Sequence, residues 1–248
     1  MKTVFINCSP KKRFCASAYF LFLQRLFTGG EKVTEKLRTP ADHQRILEAL
    51  RGADAAVFCL PLYVDGIPSH VLRFMEEMEA FCKKNALRLH VYCVANNGFI
   101  EGRQNEPLMQ NFEHFCTRAG LVWGGGIGIG GGVMLNVTRI LFLVQIGLLA
   151  LNTLISCIHT GSFFAKDARI SFAENTALLL YFNLGVLYYL IRMGFHIRRG
   201  TFSGKKYTRI LIPSFVFILF ADIFFLIISF FEGGLFKGWL AKKPYGQA

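Results

Sequence analysis

The chain has 248 residues, 53% of them hydrophobic, a mean hydropathy of +0.39 and a net charge of +12. This length holds one α/β domain and a further segment, and this apolarity excludes an ordinary soluble enzyme. The basic excess is uneven: residues 1–135 carry 16 Lys/Arg against 12 Asp/Glu, a net +4, and residues 136–248 carry 12 against 4, a net +8. Cations dispersed among apolar runs suit an anionic lipid surface, and with no helix-turn-helix or RNA-binding sheet pattern no nucleic-acid partner is expected. Seven Cys, at 8, 15, 59, 82, 93, 116 and 157, form no CxxC pair. They indicate neither a disulfide framework nor a zinc site and read as reduced thiols of a cytosolic domain. The apolar run in MKTVFINCSP is too short for a signal sequence.

In chain order, residues 3–7, 55–60, 89–95 and 121–123 are short apolar runs rich in β-branched and aromatic residues, as strands buried on both faces require. Residues 32–37 alternate Val33, Glu35 and Leu37 with polar and charged neighbours, which suits an edge strand. Helical patterns cover 16–27, 41–51, 69–83 and 105–118. Each of the first four strands is followed by a helix, so the expected core is a parallel sheet with right-handed crossovers and helices on both faces. Ligands of such sheets bind outside the carboxyl ends of the strands. There the chain places CSPKKRFCAS after the first strand, PLYVDGIP after the third, NNGFIEG after the fourth and GGGIGIGGG after the fifth. Ser9, Lys11, Lys12, Arg13 and Ser17 combine hydroxyls and cations with a helix N-terminus, a composition suited to phosphate.

The segments INCSPKKRFCASAYFL, PLYVDGIPSHV and ANNGFIEGRQNEPLMQNFEHFCTRAGLVWGGGIGIGGG resemble, in order, the phosphate loop, the flavin-ring loop and the strand-four to strand-five region of the flavodoxin-like NAD(P)H-dependent FMN reductases. The resemblance covers residues 1–135. It implies a flavodoxin-like, five-stranded parallel sheet of order 2-1-3-4-5. It implies FMN with its phosphate on Ser9, Lys11 and Ser17 and its ring against Pro61, Leu62, Tyr63 and Gly66, with Asn96, Asn97, Gly98 and Glu101 closing the far side. NAD(P)H is the implied co-substrate, a small molecule or protein the electron acceptor, and a homodimer a common assembly. No side chain is singled out as catalytic, because the flavin carries the chemistry. Two departures stand out: Cys8 replaces a usual Gly, and Phe14, Cys15 and Ala16 replace a segment rich in hydroxyls and amides. They keep open a rival reading, a degenerate module that serves as a membrane interaction or scaffold protein. A pure electron carrier is disfavoured, since the +4 domain lacks a strongly acidic flavin rim.

Residues 136–248 read as a hydrophobic helical region with apolar stretches at 140–158, 176–191 and 210–231, against the roughly 20 residues a bilayer span needs. The first stretch has a second duty, because the sheet face beside the first helix needs a cover and 136–158 is the segment expected to supply it. As that cover the domain's fifth helix would extend to 158, whereas its apolar character all round, which a covering helix does not need, suits a bilayer span instead. The basic run at 192–209 is expected as a cytosolic loop. Either the first two stretches both cross, giving three spans, or neither does, giving one. Asp222 lies within the last stretch, with Arg139, Asn152 and Asn183 as candidate partners. The expected location is a membrane, in contact with lipid, with the flavodoxin-like domain on the cytosolic side.

Overall fold

A computed structural model of the chain describes residues 1–12, 15–63, 65–160 and 166–231. The strands are β1 (Lys2–Asn7), β2 (Glu31–Lys36), β3 (Ala55–Pro61), β4 (His90–Asn96), β5 (Val122–Gly130) and β6 (Lys205–Arg209). The helices are α1 (Ala16–Phe27), α2 (His43–Leu50), α3 (Ser69–Lys84), α4 (Glu106–Ala119), α5 (Gly132–Thr160), α6 (Lys166–Arg199) and α7 (Ser214–Phe231). All strand pairings are parallel, in the order β2-β1-β3-β4-β5-β6. The first five reproduce the expected order 2-1-3-4-5. The fold is flavodoxin-like.

Alternation along the strands builds two cores. Val4, Ile6, Ala56, Phe58, Leu60, Val91 and Cys93 face α2, α3 and α4, which supply Ile46, Phe74, Met78 and Phe112. Phe5, Val57, Tyr92 and Val94 are fully buried on the opposite face, beneath α1 and the second half of α6.

Three expectations are corrected by the fold. The sheet has a sixth strand, because residues 205–209 of the expected basic loop add to β5 with Gly126 opposite Lys205 and Gly130 opposite Arg209. The glycine run 124–132, expected as a loop, forms β5 up to Gly130. The glycines are needed for close approach. A Cβ on Gly128 would lie 2.6 Å from the Gly102 carbonyl oxygen, and one on Gly124 would meet the Tyr92 ring. The ladder shifts register at that ring, between Val91 and Tyr92, and Gly125 takes a φ of 108° that favours glycine.

The third correction concerns the cover of the α1 face. Val186, Leu190, Met193 and Ile197 of α6 are buried at helical spacing beside α1. Gln24 donates to the Leu190 carbonyl at 3.2 Å, and Tyr19 donates to Asn183 Oδ1 at 3.1 Å. The Arg139 guanidinium lies 5.0 Å from the Tyr19 ring centre. Asn183 and Arg139, candidate partners of Asp222 by sequence, are thus both engaged at Tyr19. By contrast α5 buries Leu135 and Asn136 and leaves Leu141, Leu148 and Leu151 exposed. Residues 1–211 therefore form one compact unit that extends past the composition shift at 136, and Ile212 opens a second, whose described helix is α7 with Asp222 on an exposed face.

If α6 is the cover, Leu190→Ala in the detergent-purified protein costs about 2–5 kcal/mol. The exposed Leu180→Ala changes stability by no more than about 0.5 kcal/mol. Comparing the two thermal melts checks this, and equal melts would contradict the assignment.

Candidate functional site

The carboxyl ends of β1, β3, β4 and β5 meet in one cleft. It is lined by Ser9, Lys11, Cys15, Ala16, Ser17, Pro61, Leu62, Tyr63, Asn96, Asn97, Gly98, Val133 and Asn136, and encloses about 110 Å3. Nine of the eleven residues expected at the site are brought together here. Gly66 and Glu101 do not line it. Gly66 is paired with Tyr63 through two backbone hydrogen bonds of 3.0 and 3.2 Å, closing a tight turn in which Asp65 adopts a φ of 56°. Glu101 turns outward to β6, where its carboxylate accepts from Arg209 at 2.9 Å. That pairing exists only because β6 joins the sheet.

At one end of the cleft lies the amino end of α1. Its capping position is Cys15, which makes no side-chain cap, so the first backbone N–H groups of the helix open toward the cleft with Lys11 nearby. Asn7 shapes the loop by accepting from the Ser9 N–H at 3.0 Å, and the Ser9 hydroxyl oxygen accepts from the Lys11 N–H at 3.4 Å. Asn96 donates to the Ser17 hydroxyl oxygen and to the Leu60 carbonyl, both at 3.0 Å. Each serine oxygen accepts, and each keeps its O–H proton to donate.

At the other end, Tyr63 is 41% exposed, and the burial of its phenol raises its pKa above the ordinary value. The Asn97 side chain donates to the Glu101 carbonyl at 3.0 Å, while its buried Oδ1 has no hydrogen-bond partner among the described residues. A buried acceptor left open in a cleft is a place for a ligand N–H or O–H. Val133 and Asn136 come from the first turns of α5 and were not foreseen. The signal was the glycine pair that ends β5 and opens α5, where the Gly132 N–H bonds the Asn97 carbonyl at 2.9 Å.

The unusual Cys8 does not enter the cleft. It is fully buried in the core under α2 and α3, with its carbonyl bonded by His70 at 3.0 Å. Burial pushes its thiol far above the ordinary value, and the Cys59 and Cys93 thiols likewise. Cys15 lines the cleft but is also buried.

The residues present match an anionic, hydrogen-bonding ligand with an aromatic part: backbone donors, a cation and hydroxyls at one end, an aromatic wall and an open buried acceptor at the other. The cleft as it stands is smaller than the roughly 300–1,000 Å3 of sites that enclose a drug-sized molecule.

No family model matches the chain, and no curated protein does. Among solved structures it is similar to an NAD(P)H:quinone oxidoreductase from Methanothermobacter marburgensis, at 14% identity and a TM-score of 0.44 over 56% of this chain and 92% of the other. It is also similar to the Trp repressor binding protein from Bacillus subtilis, at 18% identity and a TM-score of 0.43 over 52% and 84%. An NADPH-quinone reductase from P. pentosaceus matches at 15% identity and a TM-score of 0.43 over 73% and 97%.

Because the buried thiols are held protonated at neutral pH, Cys8, Cys59 and Cys93 stay unmodified by a thiolate-directed alkylating reagent in the folded protein and react after unfolding. Peptide mapping of both states checks this, and rapid native labelling of Cys8 would contradict its placement in the core.

Proposed function

We propose that this chain is a membrane-tethered flavoprotein of the NAD(P)H-dependent FMN reductase type, which takes hydride from NAD(P)H and passes electrons to a small-molecule or protein acceptor. The observation that carries the reading is the convergence of the β1, β3 and β4 loops on one cleft beside an uncapped helix N-terminus. In this reading Lys11 and the α1 N–H groups hold the phosphate of FMN, with the Ser9 and Ser17 hydroxyls as further donors. Pro61, Leu62 and Tyr63 form the wall for its ring, and Asn97 Oδ1 accepts from the ring's polar edge. Bound FMN supplies the hydride and electron chemistry, and the protein orients it and keeps water from one side.

Three helices support tethering by length and composition: 132–155, 172–199 and 214–231. The packing of α6 limits the middle one. Its residues from Asn183 onward serve the sheet, and the helix before that point, 166–182, is about 26 Å long at 1.5 Å per residue. That part includes Lys166, Asp167, Arg169 and Glu174. A second reading, a non-catalytic module on the same fold, is favoured by the small volume of the cleft.

The visible spectrum of the protein in mild detergent, with FMN and then NADH or NADPH added without oxygen, separates the two. Flavin bands that bleach on adding nicotinamide uphold the oxidoreductase, and a protein that stays colourless upholds the module. In the first case Tyr63→Ala weakens flavin binding by about 1–3 kcal/mol, the range for an aromatic stack on a base. Ser9→Ala lowers flavin content as well, with neither change unfolding the protein. Wild-type flavin content in both variants would overturn the site assignment.

A chain ending at Leu211 keeps the compact unit and the exposed apolar surface of α5. It therefore still sediments with membranes. Release into the soluble fraction would show that residues 212–248 are the sole anchor.

A further inference from the structure

We infer that the carboxyl edge of the sheet, the edge that carries the cleft, lies against the lipid surface, so that the cleft opens onto the headgroup layer. This rests on the membrane-tethered reading and adds which face of residues 1–211 meets the bilayer. Helix α5 leaves the sheet at that edge, with the Gly131 and Gly132 N–H groups bonded to the Phe99 and Asn97 carbonyls. From its third turn onward it carries exposed apolar side chains, among them Leu141, Leu148 and Leu154.

Helix α6 arrives at the same edge and runs to the other. Asn183 meets Tyr19 in the first turn of α1, whereas Arg198 lies against Gly29 and Gly200 against His90, at the amino ends of β2 and β4. The exposed Leu178, Leu180 and Tyr181 precede Asn183 and so lie out beyond the carboxyl edge. A pair of helices with exposed apolar side chains, rooted at one edge of a rigid sheet, presents that edge to whatever those side chains enter.

The loops of this edge carry what a lipid–water boundary attracts. Phe99 is 60% exposed, and Lys11 and Lys12 are exposed with no ion pair among the described residues. The neighbouring acids Glu101, Glu106 and Asp42 are paired with Arg209, Arg103 and Arg45. Asp65 is the acid at this edge without an ion pair among the described residues, so the local balance is positive, the sign that anionic lipid favours. The amino edge has cations too, in Arg88, Arg198 and Arg199, but within residues 1–211 no exposed apolar helix leaves it among the described residues.

The test uses the full chain reconstituted in vesicles of anionic and zwitterionic phospholipid, with and without brominated acyl chains. Phe99→Trp and, as a second reporter at the same edge, Lys12→Trp are compared with Phe202→Trp, an exposed site at the amino edge. Flotation with the vesicles reports the tether. Emission beyond that of the unaltered chain reports the edge. The inference expects the added emission of Phe99→Trp and Lys12→Trp to be quenched by brominated lipid and that of Phe202→Trp to survive. Floating protein with the reverse pattern, or with none of the three quenched, overturns the orientation while leaving the tether standing. Protein that does not float overturns the tethered reading, and the orientation falls with it.

Discussion

A twisted parallel sheet with apolar residues on both faces has to be covered twice, and in this chain the second cover decides most of the architecture. Helices α2 to α4 seal one face in the ordinary way. On the other, α1 leaves room for one more helix, and the segment that takes it is the second half of α6, through Val186, Leu190, Met193 and Ile197. Those four side chains contribute about 1.5–3 kcal/mol each, before the cost of ordering the helix. That is enough to bind a segment more than 50 residues downstream of β5 to the sheet. The same commitment brings β6 alongside β5, and β6 in turn draws Glu101 away from the cleft to Arg209.

Because α6 is held there, α5 is released from the covering role. It keeps its first turns at the sheet, where Leu135 is buried and Asn136 and Val133 border the cleft, and presents its remaining apolar surface outward. A helix cannot commit the same residues to a sheet and to a bilayer. The division of labour between α5 and α6 is therefore energetic: α5 is apolar all round, which a bilayer tolerates, and the second half of α6 is apolar on one stripe, which a sheet requires.

The cleft depends on a polar network beneath it as much as on the residues that line it. Asn7, Asn96 and Asn97 lie at the ends of β1 and β4. They hold, respectively, the Ser9 N–H, the Ser17 hydroxyl with the Leu60 carbonyl, and the Glu101 carbonyl. Together they tie the loops of the carboxyl edge to their neighbouring elements. The glycines of β5 let the 97–105 segment lie directly on the strand's backbone, which sets the depth of the cleft at that end. Tyr63 and the backbone turn to Gly66 close the opposite side.

Local pattern was sufficient for the first four strands, the first four helices and the edge of the sheet on which the cleft opens. Residues 3–7, 55–60 and 89–95 carry uninterrupted apolar runs, so period and composition put the loops Cys8–Ser17, Pro61–Pro68 and Asn96–Gly102 on one edge, while the family resemblance named the individual residues, nine of which line the cleft. What tertiary structure decided lies where local signals mislead. Gly124 to Gly130 has turn composition, yet it is a strand: Ile127 and Ile129 are buried, and its glycines stand where Tyr92, Gly102 and β6 approach its backbone too closely for a Cβ. Residues 192–209 have the charge of a surface loop, yet they end a covering helix and form an edge strand, since the buried stripe from Val186 to Ile197 outweighs the cations on its other side. Sequence determines what each segment is able to bury, and the three-dimensional competition for a single exposed sheet face determines which segment buries it.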